Sequence, residues 1–128
     1  MSYYYNKTVN STFEITVDKV ISVLKAEGFG VLTQIDVAQT LKDKLNVDFR
    51  KYRILGACNP PFAYKALQAE DKIGTMLPCN IIVQEKADGS VEIASINPMV
   101  SMQNVKNGAL EQVASEIQTK LHRVVDAV

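Results

Sequence analysis

The sequence has no excess of charge of either sign. Fourteen lysines and arginines balance fourteen aspartates and glutamates, so the formal net charge is zero. Because phosphate backbones are bound by basic surfaces, this balance argues against a nucleic-acid-binding protein. The densest basic stretch, KDKLNVDFRKYR at residues 42–53, has acidic residues between its basic ones, which is typical of a solvated turn and strand edge.

Long hydrophobic runs are also missing. No run approaches the roughly eighteen apolar residues of a membrane span, and the N-terminal MSYYYNKTVN lacks the apolar centre of a secretory signal. We therefore expect a cytoplasmic protein that binds no membrane. A chain of 128 residues can bury an adequate core without disulfides or metals, so we predict a single domain over residues 1–128.

Common catalytic signatures are absent, among them GxSxG, the P-loop, GxGxxG and HExxH. The chain has two cysteines and one histidine, fewer ligands than a closed zinc site requires. The histidine, His122, shares a polar helix stripe with Glu111, Ser115 and Gln118, so we expect it to face solvent. The sequence predicts no cofactor.

Alternation of apolar and polar residues predicts several β-strands. The last two are expected to pair as a hairpin, because the KADGS segment between them contains an Asp-Gly turn signal. The three tyrosines near the N-terminus are more typical of a strand than of a stacking platform for bases or sugars. The predicted strands are Tyr3–Val9, Gly30–Ile35, Phe49–Ala57, Cys79–Glu85 and Val91–Ile96.

Helical spacing predicts two helices in the first half of the chain. Thr16 is expected to cap the first helix, and Gly28 to end it in a left-handed conformation. Asp36 is expected to cap a second, short helix that Asn46 ends. The apolar residues that define the first helix are Val17, Val20, Ile21 and Leu24, and those of the second are Val37, Leu41 and Leu45.

Two more helices are predicted in the second half. One begins at Pro61 and runs to about Glu70, because a residue before proline favours an extended conformation. The other has an apolar stripe that could form a subunit seam or pack on the chain's own sheet, and its short length favours the second alternative. The stripe consists of Leu110, Ala114, Ile117, Leu121, Val124 and Val128.

These elements follow one another in the order β-α-β-α-β-α-β-β-α. Strands and helices that alternate in this way predict an α+β fold, with a mixed sheet of about five strands and helices packed on it. The expected architecture is a two-layer sandwich.

Two Cys-Asn segments, each beside proline, form the candidate site. The first lies in RILGACNPPFAYKAL (residues 53–67) and the second in LPCN (residues 77–80). Cys58 is predicted to end a strand just before a helix N-terminus, a place where α/β proteins often bind ligands. Asn59 or Asn80 could hydrogen-bond a polar ligand there. The candidate thiol or ligand site therefore consists of Cys58, Asn59, Pro60, Cys79 and Asn80.

The role of the cysteines stays open at this point. The spacing permits contact between Cys58 and Cys79 without requiring it. A helix N-terminus alone is too weak to make Cys58 reactive, and Pro60 and Pro61 remove amide donors from the loop. The alternatives are two buried hydrophobic residues, a thiol-dependent ligand or redox site, and a metal site.

Three runs, YRILGACNPPFAYKAL, IGTMLPCNIIVQE and GSVEIASINPM, resemble the domain-of-unknown-function 302 family (DUF302). The similarity extends from about Tyr3 through Met99. It implies a compact α+β domain that forms a homodimer. It implies no established activity and supplies no catalytic residues, and some family members have other residues at the positions of Cys58 and Cys79.

The leading hypothesis is a homodimeric ligand-binding or accessory module, whose partners are a second copy of the chain and an unidentified small molecule. One alternative is a thiol-based redox or transfer enzyme with Cys58 as nucleophile and Cys79 as resolving thiol. Another is soft-metal binding, such as Cu(I), through the two thiolates. All three require that both sulfur atoms open onto a shared cavity at one rim of the sheet.

Overall fold

Five strands form one sheet in the computed structural model, which describes residues 1–128. Their order across the sheet is β1-β5-β4-β3-β2, and every pairing is antiparallel. The α+β class and the five strands are confirmed. The strands are β1 (Tyr4–Val9), β2 (Gly30–Asp36), β3 (Tyr52–Cys58), β4 (Cys79–Glu85) and β5 (Val91–Ile96).

Five α-helices and one 3₁₀ helix connect and cover the strands. Helices α1 and α5 pack on the sheet, and α3 packs against α5. None of the helices combines the length and apolar composition needed to span a bilayer. The helices are α1 (Phe13–Ala26), α2 (Val37–Leu45), α3 (Pro60–Ala69), the 3₁₀ helix (Asp71–Met76), α4 (Pro98–Ser101) and α5 (Gly108–Ala127).

The sheet is antiparallel throughout rather than mixed, because each helical connection between neighbouring strands returns to the end of the sheet it left. Asp36, the last residue of β2, pairs with Arg53 near the start of β3. Ala57, near the end of β3, pairs with Cys79 at the start of β4. In both connections a helix leads away from the end of the sheet, and the segment after the helix returns to the same end.

The first helix begins earlier than predicted. Its cap is Thr12, whose Oγ1 accepts the Ile15 N–H at 3.2 Å. Thr16 lies one turn inside the helix, where it is buried and its hydroxyl donates to the Thr12 carbonyl at 2.7 Å. The predicted end at Gly28 is confirmed by a φ of +86°.

Helix α3 also begins earlier than predicted, at Pro60 rather than Pro61. The Asn59 carbonyl accepts the Ala63 N–H at 2.9 Å, which makes Asn59 the cap and Pro60 the first helical residue. Proline suits that position because its missing N–H would have no partner there. Pro60 is therefore helical and not extended. The predicted caps of α2 are confirmed, since Asp36 accepts the Gln39 N–H and Asn46 has a φ of 53°.

Helix α5 packs its apolar stripe into the core of its own chain. Leu110, Ala114, Ile117, Leu121 and Val124 are all buried, while Val128 is half-buried. The stripe is therefore not an exposed subunit seam.

The core consists of two apolar clusters. The larger lies between the sheet and helices α1 and α5, and includes Leu24, Leu55, Ile81 and Leu121. The smaller joins α3, the 3₁₀ helix and α5, and consists of Ala66, Ile73, Met102, Leu110 and Ala114.

Candidate functional site

Cys58 and Cys79 lie at the same end of the sheet, because the antiparallel pairing of β3 and β4 brings the end of one strand beside the start of the other. Cys79 pairs with Ala57, and Cys58 pairs with Gly30 of β2. Both cysteines line one cavity of about 320 Å³. We call this space, which also contacts Phe62, Met102 and Ile117, the sheet-end cavity.

The sheet-end cavity lies where the two apolar clusters meet. Fourteen of its 18 lining residues are hydrophobic and none is charged. Leu32 and Leu67 line it and are 68% and 43% exposed, so the cavity communicates with solvent. Its composition suits the uncharged, apolar part of a small molecule.

The two thiols have different surroundings. Cys79 is buried in the larger cluster, and this burial, with a smaller contribution from nearby Cys58, raises its pKa to about 11. The Cys79 thiol is therefore protonated at neutral pH. Cys58 is half-buried. Because Cys79 is opposite Ala57, and successive residues of a strand point to opposite faces, the two cysteines are not a directly opposed pair.

Asn59 is the third predicted site residue at the cavity. It is 7% exposed, and its Nδ2 donates to the Glu27 carbonyl at 3.4 Å. A Cβ at Gly28 would lie 3.2 Å from that nitrogen. Asn59 thus joins the end of α1 to the start of α3, and its amide adds polarity to an apolar wall.

Pro60 and Asn80 do not join this group. Pro60 is exposed at the start of α3, outside the cavity lining. Asn80 follows Cys79 on β4 and therefore points to the other face of the sheet, where it borders a separate depression with Tyr52 and Ile82. The structure thus brings together three of the five predicted residues.

Sequence reasoning did not identify most of the cavity wall. Helix α3 contributes Phe62, Ala63 and Ala66, and α5 contributes Ala114 and Ile117. The burial of the α5 residues was predictable from their spacing. Ala63 and Ala66 of α3 gave no signal, because such small residues only leave space where the two helices meet.

The backbone of Gly56 lies in close contact with β2 and with the segment that precedes β4. A Cβ at this position would collide with Thr33 Oγ1 and lie 2.8 Å from Pro78 Cγ. Pro78 is itself part of the lining. Glycine therefore allows the segment before β4 to pack directly on β3.

Other titratable groups form no comparable site. The structure contains no group of three or more His, Cys, Asp or Glu side chains that could hold a metal ion. His122 is half-buried rather than fully exposed, because its ring stacks on Tyr5 with centroids 4.0 Å apart.

Known proteins with similar sequences and structures have the same fold as this chain. Residues 5–128 match the family described as "Domain of unknown function DUF302". The chain belongs to the DUF302 family. A crystal structure of an uncharacterised conserved DUF302 protein from Bacillus stearothermophilus is similar to this DUF302 protein, with a TM-score of 0.92 and 30% sequence identity. The match covers 99% of this chain and 98% of that one.

An uncharacterised protein of Aquifex aeolicus (strain VF5) is 33% identical to this DUF302 protein over 76 residues. The alignment covers 59% of this chain and 46% of that protein, so it spans less than half of the relative's length. The names of these relatives give no activity. The functional proposal therefore depends on the geometry of the sheet-end cavity.

Proposed function

We propose that this DUF302 protein is a single-domain, homodimeric ligand-binding module whose sheet-end cavity holds the apolar part of a small molecule. The observation that carries this proposal is the cavity of about 320 Å³ with 14 hydrophobic residues among its 18 lining residues. That volume lies at the lower end of the range for ligand pockets, roughly 300–1,000 Å³.

Cys58, Asn59 and Cys79 supply the few polar groups on this wall. A protonated thiol is a small, weakly polar group, and a side-chain amide has both N–H donors and an acceptor oxygen. We propose that they orient a ligand whose affinity comes mainly from apolar contact. Pro60 and Asn80, which lie outside the cavity, have no part in this role.

The same surroundings count against the two thiol-based alternatives. A resolving thiol or a metal ligand must be deprotonated, and burial raises the pKa of Cys79 to about 11. Pro60 and Pro61 have no N–H, so the start of α3 offers few amides to stabilise an anionic intermediate. Binding without covalent chemistry is the simpler use of this cavity.

Filling the cavity tests the proposal. Ala63→Leu adds three carbon atoms to a half-buried residue of the α3 wall, whereas Ala109→Leu makes the same change at an exposed position of α5 outside the cavity. The probe is N-phenyl-1-naphthylamine, a neutral apolar dye whose fluorescence rises in apolar surroundings. We expect the wild type and Ala109→Leu to enhance its fluorescence equally, and Ala63→Leu to lose most of the enhancement.

The result depends on both variants being folded, which their far-ultraviolet circular dichroism establishes. Equal enhancement by folded Ala63→Leu would mean that the dye binds elsewhere, and no enhancement by the wild type would remove the support for an apolar site.

We further propose that the outer face of the sheet, opposite α1 and α5, joins two copies of the chain. A row of four apolar residues crosses this face in register: Ile35 pairs with Ile54, Ile54 with Ile82, and Ile82 with Ala94. The first of these is 46% exposed and the others are half-buried. A two-fold interface requires a self-complementary surface, and an apolar row bordered by Lys86 and Glu92 meets that requirement.

We also propose a cytoplasmic location. Both cysteines are free thiols, as is usual for proteins of a reducing compartment.

A further inference from the structure

Phe62 connects the sheet-end cavity to two positive charges. Its half-buried ring is part of the cavity wall. Lys65 Nζ lies 5.4 Å from the centroid of this ring, and Lys120 Nζ lies 5.9 Å from it. One lysine belongs to α3 and the other to α5, so the packing of these helices brings two like charges to one side chain at the cavity boundary.

Neither lysine has a carboxylate partner. The six ion pairs of the protein use other lysines and arginines. Lys120 is half-buried, so its charge is screened less by water than the charge of a fully exposed lysine. The cavity lining itself has no charged residue, so Lys65 and Lys120 add positive charge beside a wall that has none of its own.

We infer that the ligand is an amphiphile with a carboxylate head, held with its apolar chain in the cavity and its head beside Lys65 and Lys120. This inference rests on the proposed function of the cavity and specifies its ligand. The volume of about 320 Å³ suits a chain of medium length.

A carboxylate fits the contacts better than a phosphate does. Phosphate sites commonly use backbone amides at a helix N-terminus or the planar fork of arginine. Here the first two residues of α3 are prolines without N–H groups, and the nearby cations are lysines, which act as point charges. Two such charges are sufficient for a monoanion.

Two probes with the same chain length separate the head group from the chain. Decanoate has a carboxylate, and decan-1-ol has a neutral hydroxyl. Isothermal titration calorimetry at low ionic strength would measure their affinity for the wild type and for the double variant Lys65→Gln/Lys120→Gln. The control is Lys19→Gln/Lys44→Gln, which removes the same charge from two exposed lysines that also lack ion pairs and lie away from the cavity.

We expect Lys65→Gln/Lys120→Gln to bind decanoate about tenfold more weakly than the wild type, because it loses two partly exposed charge interactions. Its affinity for decan-1-ol should be unchanged, and the control variant should match the wild type with both probes. Added sodium chloride should weaken decanoate binding to the wild type and leave decan-1-ol binding constant.

The possible outcomes distinguish the inferred carboxylate head from the proposed apolar ligand site on which it rests. If decan-1-ol binds and the lysine substitutions leave decanoate affinity unchanged, the carboxylate inference is wrong while an apolar cavity site stands. If the substitutions weaken both probes equally, the lysines support the wall and do not recognise the head. If the wild type binds neither probe, the proposed function fails together with the inference.

Discussion

At the scale of single residues, burial decides what Cys79 can do. The sequence identifies two cysteines beside helix and strand ends but gives no sign of their solvent exposure. The structure shows Cys79 8% exposed within the larger apolar cluster, with its pKa raised to about 11. A residue that resembles a redox thiol in the sequence is thus a protonated, weakly polar part of an apolar wall.

The raised pKa predicts a loss of stability in alkaline solution. The native Cys79 thiol stays protonated up to about pH 11, whereas the unfolded thiol ionises near its ordinary pKa of 9.0. Between these values the unfolded state binds fewer protons, so the free energy of unfolding falls as the pH rises, by roughly 2–3 kcal/mol from this residue. Urea unfolding at pH 8 and at pH 11 measures the fall.

Cys79→Ala should show a smaller fall than the wild type, because its side chain does not titrate. Lysines and tyrosines also titrate in this range, so the quantity of interest is the difference between the two proteins. Cys58→Ala is the matched control and should retain most of the wild-type fall, because burial is the larger cause of the raised pKa of Cys79. An identical fall in Cys79→Ala would show that burial of this thiol does not contribute.

At the scale of secondary-structure elements, much of the fold is predictable. The β4–β5 hairpin has its predicted bounds because an Asp-Gly turn separates two alternating runs, and Gly89 adopts a φ of +87° there. The sequence predicts the start of α1 four residues too late, because Thr16 directly precedes Val17, the first apolar residue of the helical pattern, and therefore resembles a cap. The 3₁₀ helix and α4 were also missed, since elements of six and four residues are too short for periodicity.

The cap of α5 gives a prediction at this scale. Asn107 Oδ1 accepts the Ala109 and Leu110 N–H groups at 3.1 and 3.3 Å, and its Nδ2 donates to the Ala69 carbonyl at 2.8 Å. Asn107→Ala removes both functions, so we expect the free energy of unfolding to fall by about 1–2 kcal/mol. Urea denaturation followed by circular dichroism measures this change.

Asn107→Asp separates the two functions, since its carboxylate still caps the helix but cannot donate to the Ala69 carbonyl. Its stability should lie between those of the wild type and Asn107→Ala. A loss as large as that of Asn107→Ala would indicate that the link between α3 and α5 matters more than the cap.

At the scale of the whole molecule, the position of the cavity was beyond the sequence. The number of strands and the helices that cover them follow from periodicity. The direction of the strands depends on connections that return to the end of the sheet they left, and this antiparallel direction brings the end of β3, with Cys58, to the start of β4, with Cys79. Alternation along β4 then places Asn80 on the outer face. A cavity where two clusters meet depends on how helices pack, which no single segment encodes.

The proposed dimer gives a prediction for the intact protein. Ile82 lies near the centre of the apolar row on the outer face. Ile82→Lys should convert a dimer to a monomer, because a buried interface would enclose two like charges without partners. Light scattering coupled to size-exclusion chromatography measures the mass directly.

Thr8→Lys adds the same charge to an exposed position on the same face but on the edge strand β1, and should leave the dimer intact. A monomeric wild type, or a dimeric and folded Ile82→Lys, would place any self-association elsewhere.

During synthesis, two features of the fold can form only late. These are the pairing of β1 with β5 and the part of the cavity wall that α5 contributes. Tyr4 has no strand partner until Ile96 has been translated. The wall is complete only after Ile117 has been translated and α5 has docked on α3. A ribosome-bound chain that ends before Ile96 therefore leaves β1 without its full strand partner, and one that ends before Ile117 has no complete cavity wall. A ligand cannot assist folding until synthesis has passed α5.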